Sequence, residues 1–171
     1  MSIRSRLMIG TAIFLVAVLM VALFWGLRHV AMSKSNILGT SAPRLAIETT
    51  DGSQVRVWQL QGQPVVINFW ASWCTPCVQE SQVLSTTAAN RPDIAFVGAD
   101  VQDSWTGLRQ FEAGHPHAYP VGPPVVGSQS DYGVVSLPVT FFLDKKGRVA
   151  AYFSGPIDAQ TLDHYLVVVT S

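Results

Sequence analysis

Residues Val65 to Trp70, "VVINFW", form an uninterrupted β-branched and aromatic run. A strand of that composition is buried on both faces, so the chain has to supply cover on either side of it. Directly behind it, "ASWCTPC" brings the only two cysteines of the chain, Cys74 and Cys77, three positions apart.

The elements around this strand follow from pattern. "LAIETTDGSQVRVW" alternates apolar and polar residues on both sides of Asp51-Gly52 and predicts a β-hairpin at the start of the domain. A helix is expected over Thr75 to Ala89, ending before Asn90 and Pro92, and "IAFVGAD" reads as a second buried strand. "SWTGLRQFEAG" predicts a helix capped by Ser104 and stopped at Gly114, and "GHPHAYPVGPP" an irregular loop. "VTFFLDKKGRVAAYFSG" reads as two strands around a polar turn, and "DAQTLDHYLVVV" as a closing helix with Asp158 near its N-cap. Helices between buried strands and a final antiparallel hairpin imply a mixed sheet covered on both faces.

At three-residue spacing on a first helical turn, both sulfurs face the same way and can close a disulfide. Pro76 is tolerated there because first-turn N–H groups lack helical partners. Those unpaired N–H groups and the helix dipole favour a thiolate at Cys74, the expected nucleophile. Cys77, one turn inside, would resolve the mixed disulfide. Two other readings stand beside this one. A structural bridge closing so small a loop constrains the unfolded chain little, and two cysteines fall short of the four ligands of a zinc site. Two soft thiolates could also hold Cu(I), making the chain a copper-handling module, although it lacks a methionine-rich or histidine-rich ligand set. His115 and His117 could hold a metal, but two histidines in a proline-rich loop without a nearby carboxylate read as loop residues rather than metal ligands.

From Leu7 to Leu27 the sequence carries no charge, long enough to span a bilayer as a helix. It exceeds a usual signal-peptide core and no small-x-small site follows, so an uncleaved anchor over residues 1–29 is expected, then a tether over 30–41 and one domain over 42–171. Basic residues flank the segment almost evenly, leaving its orientation open. The chain has 11 basic and 11 acidic residues, and from Val30 onward 8 against 11, with no basic cluster. That balance argues against a nucleic-acid surface.

Taken together, "APRLAIETTDGSQVRVWQLQGQPVVINFWASWCTPC", Glu80 and "YGVVSLPVTFFLDKKGRV" resemble the thioredoxin superfamily, specifically the membrane-tethered TlpA/ResA/CcmG-like thiol-disulfide oxidoreductases of bacteria. The resemblance covers nearly everything from Ala42 to about Gly155. It implies an α/β thioredoxin-like fold: a mixed central sheet flanked by helices, with an N-terminal β-hairpin and a single N-terminal transmembrane helix. It also implies a single-pass protein of the inner membrane, with its catalytic domain on the periplasmic side.

By the same resemblance, the Leu137–Pro138 bond would be cis, and both residues would face Cys74 and align an extended client chain. Without it, a trans proline opening a strand is equally reasonable. Trp73, adjacent to the thiol, would contact the client, while Trp70 reads as core. Thioredoxins keep a buried acid six residues before the first cysteine; here that place is Asn68, which takes no proton. Glu80 lies one turn beyond Cys77, and similar family members carry an active-site glutamate there; spacing alone fits a solvated helix residue equally well. No cofactor beyond the Cys74–Cys77 disulfide is implied. The implied partners are disulfide-bearing extracytoplasmic clients and a transmembrane thiol carrier as electron donor.

Some departures carry information. Peroxiredoxins share a similar opening, but place a threonine and a proline where this chain has Ala71 and Ile67, which disfavours peroxide reduction. The cytochrome c maturation branch has a glycine-alanine-proline-glutamate-threonine run where this chain has "SLPVT". Many relatives also place an aspartate where Gly122 follows Pro120-Val121, so that loop is expected to be reshaped.

Overall fold

The computed structural model describes residues 15–21 and 37–170. The chain divides into two compact units, Met1–Asn36 and Ile37–Ser171. Of the first, residues 15–21 are helical and exposed. The rest of the expected membrane segment, and tether residues 30–36, lie outside the described residues. Among the described residues no helix is long and apolar enough to cross a membrane.

The second unit begins ahead of the expected boundary at 42. Ile37 is buried, the amide of Gly39 donates to Val149 O at 2.8 Å, and Arg148 Nη2 donates to Gly39 O at 2.8 Å. Residues 37–41 are therefore part of the domain. One isoleucine and a few backbone groups dock them, and neither leaves a mark in composition.

The central sheet has the order β5-β4-β3-β7-β8. Strands β3 (Val65–Trp70), β4 (Ala95–Asp100) and β5 (Val121–Gly122) run parallel, and β7 (Val139–Leu143) and β8 (Val149–Ser154) complete it antiparallel. All six residues of β3 are buried, as its composition requires. Its odd positions Val65, Ile67 and Phe69 enter one apolar cluster, while Val66 and Trp70 enter another. This is the two-residue period of a strand covered on both sides.

The cover differs between the faces. The buried leucines of the three α-helices of this unit, α1 (Thr75–Asn90), α2 (Trp105–Gly114) and α3 (Ala159–Thr170), belong to the cluster of Val66 and Trp70. Across the sheet, Ile37, Leu45, Ile47 and Tyr132 supply the cover. The predicted hairpin is present as β1 (Ala46–Glu48) and β2 (Gln54–Arg56). Ser104 Oγ accepts from Gly107 N at 3.0 Å and Asp158 Oδ1 from Thr161 N at 2.8 Å, capping α2 and α3 as expected.

The stretch read as irregular, 114–124, is more ordered than its prolines suggested. It holds β5, and β6 (Pro124–Val126) pairs antiparallel with β1 to extend the hairpin into a three-stranded sheet, β2-β1-β6. Gly122 makes this crossing possible. A Cβ there would lie 1.8 Å from Glu48 O, whose residue donates its own N–H to Pro123 O at 3.0 Å. Gly122→Ala is therefore expected to destabilise the fold by about 1–3 kcal/mol, since backbone cannot yield as a side chain does. Urea unfolding monitored by circular dichroism checks this; an unchanged midpoint would contradict it.

Candidate functional site

Cys74 is the N-cap of α1, with Pro76 in the first turn, and its carbonyl accepts from the amides of Cys77 at 2.9 Å and Val78 at 3.1 Å. The two cysteines are joined in a disulfide with their Cα atoms 5.2 Å apart. Cys74 is 5% exposed and Cys77 1%, so the first cysteine is the more exposed residue of the pair. Trp73, one residue earlier, is 60% exposed, and its Nε1 donates to Gln102 O at 2.9 Å. Trp70 is buried against Phe111 and His117.

Glu80 follows Cys77 on the buried stripe of α1 and is only 2% exposed, which removes the solvated-residue reading. Its Oε1 accepts from Asn68 Nδ2 at 2.7 Å and its Oε2 from Ile157 N at 2.8 Å. Asn68 Nδ2 also donates to Thr140 Oγ1 at 3.1 Å, directly across the β3–β7 ladder. Burial pushes the Glu80 carboxyl up to about 7, against the two hydrogen bonds that favour its ionised form. A proton acceptor poised near neutrality thus sits one helical turn beyond Cys77. Asn68, which does not titrate, holds the Glu80 carboxyl in place through its hydrogen bond.

The Leu137–Pro138 peptide is cis. Val139 pairs with Phe69, which puts Pro138 at the end of β7 beside the end of β3 from which the cysteine loop departs. Its carbonyl accepts from Gly155 N at 2.9 Å. Leu137, half-buried, packs against the cluster that contains Cys74 and Cys77.

Sequence reasoning missed the Ile157 amide as a partner of Glu80 and Thr140 as a partner of Asn68. A signal for part of this was present: Asn68 and Thr140 are the polar members of two otherwise apolar strands, and buried polar groups need partners. It also missed Glu112. His117, in the loop thought to lack a carboxylate, hydrogen-bonds through Nδ1 to Glu112 of α2. Among the described residues no three His, Cys, Asp or Glu side chains gather as a metal site.

The sequence profile of the AhpC/TSA family matches residues 38–152. The chain belongs to the AhpC/TSA family. ResA of Bacillus anthracis, a thiol-disulfide oxidoreductase, is 26% identical over 139 residues, spanning 78% of this chain and 79% of the relative. The thiol:disulfide interchange protein DsbE of Xylella fastidiosa (strain 9a5c) is 27% identical over 143 residues, spanning 81% and 72%. Among solved structures, a putative DsbE from Chlorobium tepidum superposes with a TM-score of 0.70 at 25% identity, covering 77% of this chain and 96% of that one. MTB DsbF, in mixed oxidised and reduced forms, gives 0.67 at 28% identity, covering 72% and 93%. This family member has the thioredoxin-like α/β fold with a mixed sheet, and its relatives are enzymes of thiol–disulfide exchange. The copper alternative finds no support in these matches.

The Glu80 shift makes stability pH-dependent. Because its folded value is raised from 4.5 to about 7, the stabilising contribution is complete below about 4.5 and is lost as pH rises through about 7. Urea titrations of the oxidised protein should show stability falling across that window, by up to about 3 kcal/mol from this group. Glu80→Gln should reduce that slope by this group's share, leaving the part that buried Asp100, raised to about 8, contributes with the same sign; an identical slope in the variant would show that Glu80 does not contribute to it.

Proposed function

We propose that the protein is a membrane-tethered, extracytoplasmic thiol-disulfide oxidoreductase that works as a reductase of client proteins. The observation that carries the reading is the Cys74–Cys77 disulfide at the start of α1, with the Glu80 carboxyl buried one turn deeper. In the reduced protein the Cys74 thiolate attacks a client disulfide, forming a mixed disulfide and releasing one client thiolate. Cys77 then attacks Cys74 Sγ, re-forming the internal disulfide and releasing the second client thiol, so two electrons pass to the client. Glu80 takes the proton that Cys77 loses, a task suited to a carboxyl that titrates near neutrality.

Trp73 contributes an exposed apolar contact beside the attacking sulfur, and Leu137 and Pro138 align the client's extended chain. The disulfide is the whole redox equipment, with no further cofactor. Electrons return through a transmembrane thiol carrier. The uncharged run over residues 7–27 serves as a single-pass anchor in the inner membrane, within a segment 1–29 and followed by a short tether, and it holds the domain on the periplasmic side.

Insulin disulfide reduction by the full chain in detergent tests the reading. Cys74→Ser should abolish turnover, and Cys77→Ser should accumulate a Cys74 mixed disulfide visible on a non-reducing gel; turnover surviving in Cys74→Ser would overturn it. Direction is tested separately by equilibration in thiol buffers. A reductase should lie toward thioredoxin's roughly −270 mV, and a value near about −120 mV would reverse the direction of electron flow.

A further inference from the structure

The segment leaving β4 grips the loop that carries Cys74. Val101 N donates to Trp70 O at 2.9 Å, Trp73 Nε1 to Gln102 O at 2.9 Å, and Ser72 N to Asp103 Oδ2 at 2.7 Å. Gln102, whose carbonyl receives the Trp73 indole, has φ 58°, a left-handed conformation that a side-chain-bearing residue adopts only when its surroundings enforce it. Gly107 leaves room for the contact. A Cβ there would stand 2.5 Å from Asp103 Oδ1 and 3.0 Å from Ser72 Oγ.

Asp103 also accepts from Ser104 N through Oδ1 at 2.6 Å. Capping α2 does not require it, since Ser104 already satisfies Gly107 N. Behind Asp103 stands Asp100, the last residue of β4, paired in register with Trp70 and 4% exposed. Among the described residues Asp100 Oδ1 has no hydrogen-bond partner, and the charge of the Asp103 side chain and a hydrogen bond to it are among the causes that raise the Asp100 carboxyl. Two neighbouring carboxyls, one of them buried, favour a state with a single proton between them. The other charged group acting on Asp100 is Glu112 of α2, itself bonded to His117; the β3 neighbour Trp70 is uncharged.

We propose that Asp103 is a positioning residue for the Cys74 loop, and that Asp100 locks it in place by donating its carboxyl proton to Asp103. The two environments assign the proton to Asp100. Burial, then the charges of Asp103 and Glu112, push it up to about 8. Burial raises Asp103 too, but hydrogen bonds with Ser72, Ser104 and Asp100 outweigh it and hold Asp103 below the usual carboxylate value. When Asp100 ionises, two like charges face each other and Asp103 loses the donor that fixes it. The grip on Ser72, and with it the setting of Cys74, then loosens.

The catalytic consequence rests on the proposed thiol exchange, but the grip itself can be read in the oxidised protein, where neither cysteine titrates. In 15N-labelled oxidised full chain in detergent, the Ser72 amide and Trp73 indole resonances should shift together with a midpoint near 8. Asp100→Asn keeps a donor toward Asp103 but has no proton to release, so both resonances should stay at their low-pH positions across the range. Asp103→Ala should displace both at every pH. In the reduced protein it should also slow attack of Cys74 on a small aromatic disulfide by at least about ten-fold, misplacement of a reacting group by about 1 Å costing up to about a hundred-fold. Resonances that titrate in Asp100→Asn as in the unmodified chain would overturn the lock, and an unchanged attack rate in Asp103→Ala would overturn the positioning role. Loss of insulin reduction with an intact titration would instead count against the proposed client activity.

Discussion

A carboxyl group taken out of water must find partners, and Glu80 finds them on two elements outside its own helix. Its own helix carries the cysteines. One oxygen is held by Asn68 of the central strand, and the other by the Ile157 amide in the loop before α3. Asn68 in turn reaches Thr140 on the neighbouring strand. A single buried side chain thereby fixes α1 against β3, β7 and the approach to α3, the same elements whose ends surround the disulfide. Removing one partner from such a network costs more than a hydrogen bond is worth on the surface, because the group left behind stays buried and unpaired.

The first turn of α1 meets opposing demands. A disulfide there must be reachable, yet Cys77 and the turn after it are packed against the apolar cluster that includes Leu84, Leu162 and Leu166. The compromise is graded along the helix. Trp73 stands in solvent, Cys74 is barely exposed, Cys77 is covered, and Glu80 is sealed beneath. An acid placed at the covered end of that gradient gains its raised proton affinity from the packing that stabilises the fold.

How much of this could be read from the sequence depended on whether the signal was local. The run Val65–Trp70, the Asp51-Gly52 hairpin and the caps Ser104 and Asp158 are decided by neighbours along the chain, and the structure has them where pattern put them. Strands β5 and β6 span two and three residues around Pro123 and Pro124, too short to show any period. They exist because β4 and β1 offer ladder partners, which is a tertiary fact. Cys74, Cys77 and Glu80 were visible as a spacing, whereas the Ile157 amide and Thr140, lying 77 and 72 residues from the groups they bond, could not have been found by spacing at all. Likewise, Glu112 meets His117 only because α2 ends where the following loop folds back over it.

The sheet also has a second end. Strands β3 and β4 run toward the disulfide and β7 runs away from it, so the Gln61–Pro64 turn, the Arg91–Asp93 turn and the Asp144–Gly147 turn gather at the opposite pole. Gly62 N donates to Lys145 O at 2.9 Å across that pole. Lys145 and Lys146 are exposed there, with no part in the chemistry. The molecule therefore has a natural handle: immobilised on a surface through those two amines, it would present its disulfide outward, toward whatever is passed over it.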